Sequence, residues 1–514
     1  MQTNKDGEQK QFKQYGLFSL TILLLTSSLA AQSFEDFKRV QESSFSQYRD
    51  ARDKEFGNYL KAQWQEFSSK KPAPLYEKPK PKSITPTVQK KIEKIGPSVR
   101  IIVPKKVVAA PTTKPSLKSK ESTKVVNVQP VVVVKPRVYE VVKAKKKQET
   151  QNTKDVNLLY FGQHVGINID EKFKEAKFYP QNQSGISNAF SILASSDYED
   201  TIRDIKTIQK DLNLNDWGVY LLVNMLSTSL FENPDNQKLF SWFIFNKLGY
   251  SLKVGLAGKH VVVMYYSKRM IYDTPYYTFN NKRFFLISRY AKGSAGRVYT
   301  YKQNYPKANK PLDLSLQTLP NFKKDLRSKT LKFKEFGKTY STSFKYDKNL
   351  IDFMATYPQA DYDTYFNAPM DPELYDQIAR DLKPYIDGKK ASVAINFVLH
   401  FVQKAFRYER DDAQFGREKV MFSNETLYYD KSDCEDRTIL FAYLIKKLFN
   451  ISVVGVQYSD HMSTALYIPM RGDSVKVQRR KFVIADPTYI NANIGMSMPK
   501  YRSKIPESFI MVRK

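Results

Sequence analysis

The 514 residues contain one cysteine, Cys434, set in Ser432-Asp433-Cys434-Glu435-Asp436-Arg437 just ahead of an apolar run at 439–448. A lone thiol cannot close an internal disulfide, so it serves either as a nucleophile or as a small buried side chain. Ser432 and Glu435 have the Ser-x-x-Glu spacing of a capping box, which predicts a helix with Cys434 in its first turn. A helix N-terminus favours the thiolate, whereas Glu435 and Asp436 oppose it. A reactive Cys434 therefore needs a basic partner from elsewhere, and His461 and Asp486 follow 27 and 25 residues on. Together they supply what acyl chemistry requires: a thiolate to attack a carbonyl, an imidazole to carry the proton and a carboxylate to fix the imidazole's tautomer. Each also has a plainer reading. Cys434 suits a helix core, His461 a turn beside Asp460, and Asp486 a turn or cap before Pro487.

The elements that must position these groups are legible around them. Apolar periodicity predicts helices at 372–386, 392–406 and 439–448. Short alternating runs predict strands at 451–458, 461–468 and 481–485, and a strand pair at 331–346 around Gly337. A helix packed by an antiparallel sheet is an α+β pattern. His461 at a strand start and Asp486 at a strand end can be delivered to the sheet edge where the helix presents its first turn. Gln414, on a polar loop, is a candidate oxyanion donor. Tyr429 and Tyr489 are candidates to line a peptide- or glycan-binding cleft.

Asp433-Cys434-Glu435-Asp436-Arg437 leading into an apolar helix, Ser459-Asp460-His461 opening a strand and Ala485-Asp486-Pro487-Thr488-Tyr489 ending one resemble the bacterial transglutaminase-like, papain-like cysteine superfamily. Residues 401–408, 411–416 and 426–429 are similar to exported members of it, and the likeness covers about residues 360–500. The resemblance implies a nucleophilic Cys434, a His461 base and acid, an orienting Asp486 and acyl chemistry on amide bonds. It leaves peptidase, amidase, cross-linking transferase and inactive members open.

Lys and Arg total 83 against 52 Asp and Glu, a net charge of +31, and residues 68–154 hold 22 of the basic residues against 5 acidic ones. Such a run suits nucleic acid, anionic lipid or acidic polymer alike. The N-terminus narrows the choice. Lys5, Lys10 and Lys13 precede an apolar run at 17–25, and Ser28-Leu29-Ala30 places small residues for signal-peptidase cleavage, so 1–30 reads as an export signal. An uncleaved anchor is the lesser alternative, because the apolar stretch falls short of the roughly 20 residues of a bilayer span. Export to the periplasm or cell envelope makes nucleic acid an unexpected partner, and it makes an unpaired thiol costly unless buried or used. No metal-ligand spacing and no Gly-rich phosphate loop occurs, so no metal and no cofactor are expected.

Phe34, Phe45, Phe56 and Phe67 recur every 11 residues, with Phe37, Tyr48 and Tyr59 three places behind the first three. The repeat predicts one long helix over 33–69, packed on its own chain or used for self-association as a coiled coil. Residues 70–154, rich in Pro, Lys and Val, read as a disordered spacer with affinity for an anionic envelope surface. Residues 155–310 predict helices at 204–212, 217–230 and 237–248 and strands at 253–256 and 260–266; connecting strands at 311–355 lead into the candidate catalytic domain at 356–514. An offset of 200 aligns Lys247-Leu248 with Lys447-Leu448 and Val254-Gly255 with Val454-Gly455, while His260 falls one place from the match to His461. Pro234 takes the place of Cys434, and Asp273-Thr274-Pro275 resembles Asp486-Pro487 at a shifted spacing, so 155–310 is a candidate degenerate copy. The expectation is an exported cysteine enzyme acting through a thioester on peptide, protein or cell-wall peptide. The rival is a non-catalytic envelope scaffold.

Overall fold

The computed structural model describes residues 34–62, 64–76, 78–102, 154–287 and 296–513. The expected export signal at 1–30 and residues 103–153 of the expected spacer lie outside them. Helix α1 (Phe34–Leu60) stops short of 69, and Phe67, the last member of the 11-residue repeat, lies in strand β1 (Gln65–Ser68). The repeat divides in role. Phe56 is buried against Phe190 and Trp242, whereas Phe45 and Tyr48 are exposed.

The first α+β layer opens with the hairpin β2 (Val156–Tyr160)–β3 (Gln163–Ile167) and helices α2 (Gln183–Ala194), α3 (Glu199–Asp211), α4 (Asp216–Leu230) and α5 (Pro234–Lys247). Asn side chains start the last two. Asn215 accepts from Gly218 N at 3.1 Å, and Asn233 accepts from Asp235 N at 2.8 Å with Pro234 behind it, the arrangement that satisfies orphan amides of a first turn. Strands β4 (Leu252–Ala257), β5 (His260–Tyr266), β6 (Tyr276–Phe279), β7 (Lys282–Phe285) and β8 (Arg297–Thr300) join β1 in an antiparallel sheet of order β1-β8-β4-β5-β7-β6. The long hairpin β9 (Leu326–Glu335)–β10 (Lys338–Asp347) turns at Phe336 and Gly337, both at positive φ, and connects the halves.

The second layer contains α6 (Lys348–Met354), α7 (Tyr362–Phe366), α8 (Pro372–Ile386), α9 (Ala391–Ala405), β11 (Arg407–Tyr408), α10 (Asp411–Phe415), α11 (Ser423–Tyr428), β12 (Lys431–Ser432) and α12 (Cys434–Phe449). Strands β13 (Val453–Tyr458), β14 (His461–Leu466), β15 (Ser474–Val477), β16 (Arg480–Ala485) and β17 (Ser508–Met511) form a sheet of order β15-β16-β14-β13-β17. The antiparallel sheets curl into a near-barrel and a half-barrel, an α+β architecture as expected. α12 lies on β13 and β14, and its aliphatic face joins a buried cluster that runs through both layers.

The two sheets repeat one plan. Read outward from the central hairpin, β8-β4-β5-β7-β6 matches β17-β13-β14-β16-β15, and each sheet follows a helix, α5 or α12. The helix starts differ by 434 − 234 = 200, whereas the hairpins differ by 461 − 260 = 201. The offset read from the sequence therefore holds for the helix and slips by one residue in the loop before the hairpin, which sets His260 and His461 at the same strand position.

Residues 70–102 depart from the expected disordered spacer. The described residues among them start on the first layer, where Lys70 N donates to Tyr276 O, and continue along the second, where Lys78 N donates to Ser459 O, Thr87 N to Ile490 O and Val99 N to Lys389 O. Prolines in the segment supply no amide donor and favour extended backbone, and Leu75, Lys80 and Ile101 anchor it as its buried residues.

Candidate functional site

The capping of α12 is shifted by one residue from the Ser432–Glu435 expectation. Asp433 takes the N-cap place and Asp436 the third position, with Asp433 N donating to Asp436 Oδ2 at 3.3 Å. Ser432 instead lies in β12, paired in parallel with β11, and its Oγ accepts from Arg437 Nε at 3.0 Å. Arg437, fully buried, also donates to Gln403 O at 3.2 Å and Phe406 O at 2.9 Å. The motif thus ties α12 to the end of α9, and Cys434 sits in the first turn as expected.

Asp486 and His461 meet. His461 Nε2 lies 2.9 Å from Asp486 Oδ2, and Asp486 Oδ1 accepts from Thr488 N at 2.9 Å and Tyr489 N at 3.2 Å. Gln403 Nε2 donates to the Asp486 carbonyl at 2.9 Å. His461 Nδ1 is buried without a hydrogen-bond partner among the described residues, and the ring stacks on Tyr501 at 4.7 Å. The first turns of α12 run beside this strand: Thr438 Oγ1, four residues beyond Cys434 and so on the same helix face, donates to Met462 O at 3.2 Å.

The Cys434 thiol itself donates to Glu435 Oε2 at 3.2 Å and lies 3.9 Å from Tyr76 Oη; no hydrogen bond joins it to His461 among the described residues. Both Cys434 and His461 are 0 % exposed. Burial pushes the thiol well above its ordinary range, the charges of Glu435 and Asp433 add to this, and Lys80 opposes it. In this arrangement Cys434 is a protonated thiol.

The largest departure from the sequence reading is Lys80. Its ammonium is buried among Asp433 Oδ2 at 2.6 Å, Glu435 Oε1 at 2.5 Å, Glu418 Oε1 at 2.5 Å and Asp411 Oδ2 at 3.3 Å. Burial alone lowers a lysine pKa; here the four carboxylates outweigh it and hold Lys80 well above its usual value. The carboxyls are crowded in turn. Burial, followed by Asp433, raises Asp411 to about 7, and burial, followed by Glu435, raises Asp433 to about 8, even with Lys80 opposing. Asp411, Glu418, Asp433, Glu435 and Asp436 fall into ligand-sized groups drawn from separate segments, so the spacing search that expected no metal-type cluster was blind to them. The cation among them is the chain's own lysine.

The other expected residues lie differently. Gln414 is on α10, with a buried Oε1 that has no hydrogen-bond partner among the described residues. Tyr429 packs on Phe415 at 5.2 Å and Tyr428 at 4.8 Å; among the described residues its ring contacts include neither Cys434 nor His461. Tyr489 touches the site through its amide on Asp486, while its side chain joins the apolar cluster of Val454, Tyr458 and Tyr501. Tyr76, Lys80, Gln403 and Tyr501 carried no sequence signal, because each reaches the site from a segment remote in the chain. Among the described residues no helix is long and apolar enough to cross a membrane. No family model, curated protein or solved structure matches the chain.

Proposed function

We propose that the chain is an exported transglutaminase-like cysteine enzyme acting on amide bonds, with Cys434 as nucleophile, His461 as base and acid and Asp486 as the orienting carboxylate. The observation that carries this reading is the His461–Asp486 pair, bonded through Nε2 at 2.9 Å, with Nδ1 left unpartnered in a buried site beside the first turns of α12. A side chain held at one nitrogen and vacant at the other is poised to take a proton. Transfer of the thiol proton to Nδ1 frees Sγ to attack the amide carbonyl. Collapse of the tetrahedral adduct breaks the C–N bond, His461 returns the proton to the departing amine, and a thioester remains for water or a second amine. Peptide, protein or cell-wall peptide of the envelope is the substrate class that export suggests.

The first layer supports the required proximity. In α5, Asp235, one residue past the Pro234 that matches Cys434, places Oδ2 3.2 Å from His260 Nδ1 and accepts from Val261 N at 3.0 Å through Oδ1, so this plan brings a helix's first turn to the start of the second hairpin strand. We read the first layer as a duplicate in which Pro234 replaces the nucleophile.

The test is alkylation of Cys434 by iodoacetamide in the full chain across pH. The expected outcome is that His461→Ala slows the reaction at pH 7 by about 100-fold, the scale of a lost general base. A Cys434 that stays inert until denaturation, in the wild type and in Tyr76→Ala alike, sinks the reading. The second reading, a binding scaffold without catalysis, is favoured by one observation: the thiol is bonded to Glu435 rather than to His461.

A further inference from the structure

Neither candidate catalytic side chain is open to solvent, and the segment sealing the thiol comes from far upstream. Tyr76, itself partly exposed, places its hydroxyl 3.9 Å from Cys434 Sγ and 3.3 Å from Glu435 Oε2. The chain then passes through Lys78, whose amide donates to Ser459 O at 3.3 Å, two residues before His461. Lys80 drops into the four-carboxylate pocket, and Tyr408 Oη donates to Pro81 O at 2.7 Å. Further on, Thr87 N donates to Ile490 O at 3.0 Å and Asn491 Nδ2 to Thr87 O at 2.9 Å, just past Asp486. The segment thus crosses the surroundings of all three catalytic candidates.

It lies there as a bound peptide would. Around the thiol its hydrogen bonds go to other segments, at Lys78 N, Lys80 O and Pro81 O, and in residues 71–102 burial is confined, among the described residues, to Leu75, Lys80 and Ile101. Side-chain pockets give such binding its specificity and backbone bonds its affinity. The charged pocket here admits a compact ammonium: four carboxylate oxygens lie within 2.5–3.3 Å of Lys80 Nζ.

We propose that the groove over the start of α12 is the protein's peptide-binding groove and that residues 75–76 and 78–81 occupy it in cis, Lys80 filling an ammonium pocket and Tyr76 covering the thiol. The ligand class is an extended peptide with a primary ammonium side chain at the Lys80 place. Binding in trans requires the cis segment to leave. The catalytic role of the groove rests on the function proposed above; its occupancy and specificity do not. A tethered occupant competes at an effective concentration of about 1 mM, so the wild-type groove is closed to dilute peptide.

The test uses the full chain, with Cys434 alkylation followed by mass spectrometry at pH 8. Tyr76→Ala and Lys80→Gln are each expected to speed alkylation at least about 10-fold, the partition a 1.4 kcal/mol loss would produce. A synthetic peptide with the sequence of residues 75–81 restores protection to Lys80→Gln, and the same peptide with glutamine at the Lys80 place does not. The proposal is overturned if both folded variants react at the wild-type rate, or if the two peptides protect equally. Should Lys80→Gln fail to fold, the two peptides are compared on Tyr76→Ala at concentrations above the roughly 1 mM of the tethered segment, where the lysine peptide protects and the glutamine peptide does not. Failure of the catalytic reading is seen separately, as an unchanged pH profile when His461→Ala is added to Tyr76→Ala.

Discussion

At the scale of the residue, the site is governed by charge taken out of water. Burial first, and then the charges of Glu435 and Asp433 that flank the thiol in sequence, hold it protonated. Lys80 offsets the carboxylates in part, with Nζ on both of them. Removing one partner of a buried ion network leaves the others uncompensated, at about 3–5 kcal/mol. Lys80→Met is therefore expected to lower stability by that order at pH 8. The loss should shrink at pH 6, where Asp411 and Asp433 take up protons and the repulsion fades. Chemical denaturation at the two pH values measures both, and an equal loss at each would mean that the carboxyls do not titrate as described.

Among the elements, the helix-hairpin unit is what places chemistry. In the first layer the helix start meets the first residue of the second hairpin strand as the pair Asp235–His260, whereas in the second the thiol of Cys434 is bonded to Glu435 and His461 to Asp486. The close fit of the second unit shows at Gly455, where an added Cβ would lie 2.7 Å from Phe366 Cζ. Gly455→Ala forces the ring or strand β13 to shift, and the expected cost is about 1–3 kcal/mol, read from the urea midpoint. Helix α1 gives a contrasting pair. Phe56→Ala, in the aromatic cluster with Phe190 and Trp242, is expected to cost about 3–5 kcal/mol. Phe45→Ser, at 65 % exposure, should change stability by no more than about 0.5 kcal/mol. Comparable losses in both would show that the stripe is buried along its whole length.

For the whole molecule, the carboxylate cluster sets a pH dependence. Asp411 and Glu418 are raised to about 7 and Asp433 to about 8, burial being the largest cause in each, against about 4 in an unfolded chain. Between these values the folded state holds protons that the unfolded state has released. The stability they contribute is fully present below about pH 4 and is lost as pH rises through 7–8. The thermal midpoint is expected to fall from pH 6 to pH 9, with Lys80 still charged throughout. A midpoint that rises over that interval would contradict the crowding of these groups.

Much of this was legible in the sequence, because it is local. Periodicity and turn residues define α5, α8, α9, α12 and the β4–β5 and β13–β14 hairpins to within a few residues, and the order Cys434, His461, Asp486 points to acyl chemistry. Even the repeated plan was visible as a numerical offset, blurred by the single residue that the loop before the hairpin absorbs. What stayed hidden depends on distance along the chain. Phe67 looks helical by repeat but pairs with Val298 in a sheet. Residues 70–102 look like a solvated spacer because they lack apolar content, and they are ordered by backbone bonds to other segments and by one buried ammonium. Sequence alone determined which side chains could react. Only the tertiary structure decided which of them meet, because a lysine at 80 and carboxylates at 411, 418, 433 and 435 share no pattern until the fold brings them within reach of one another.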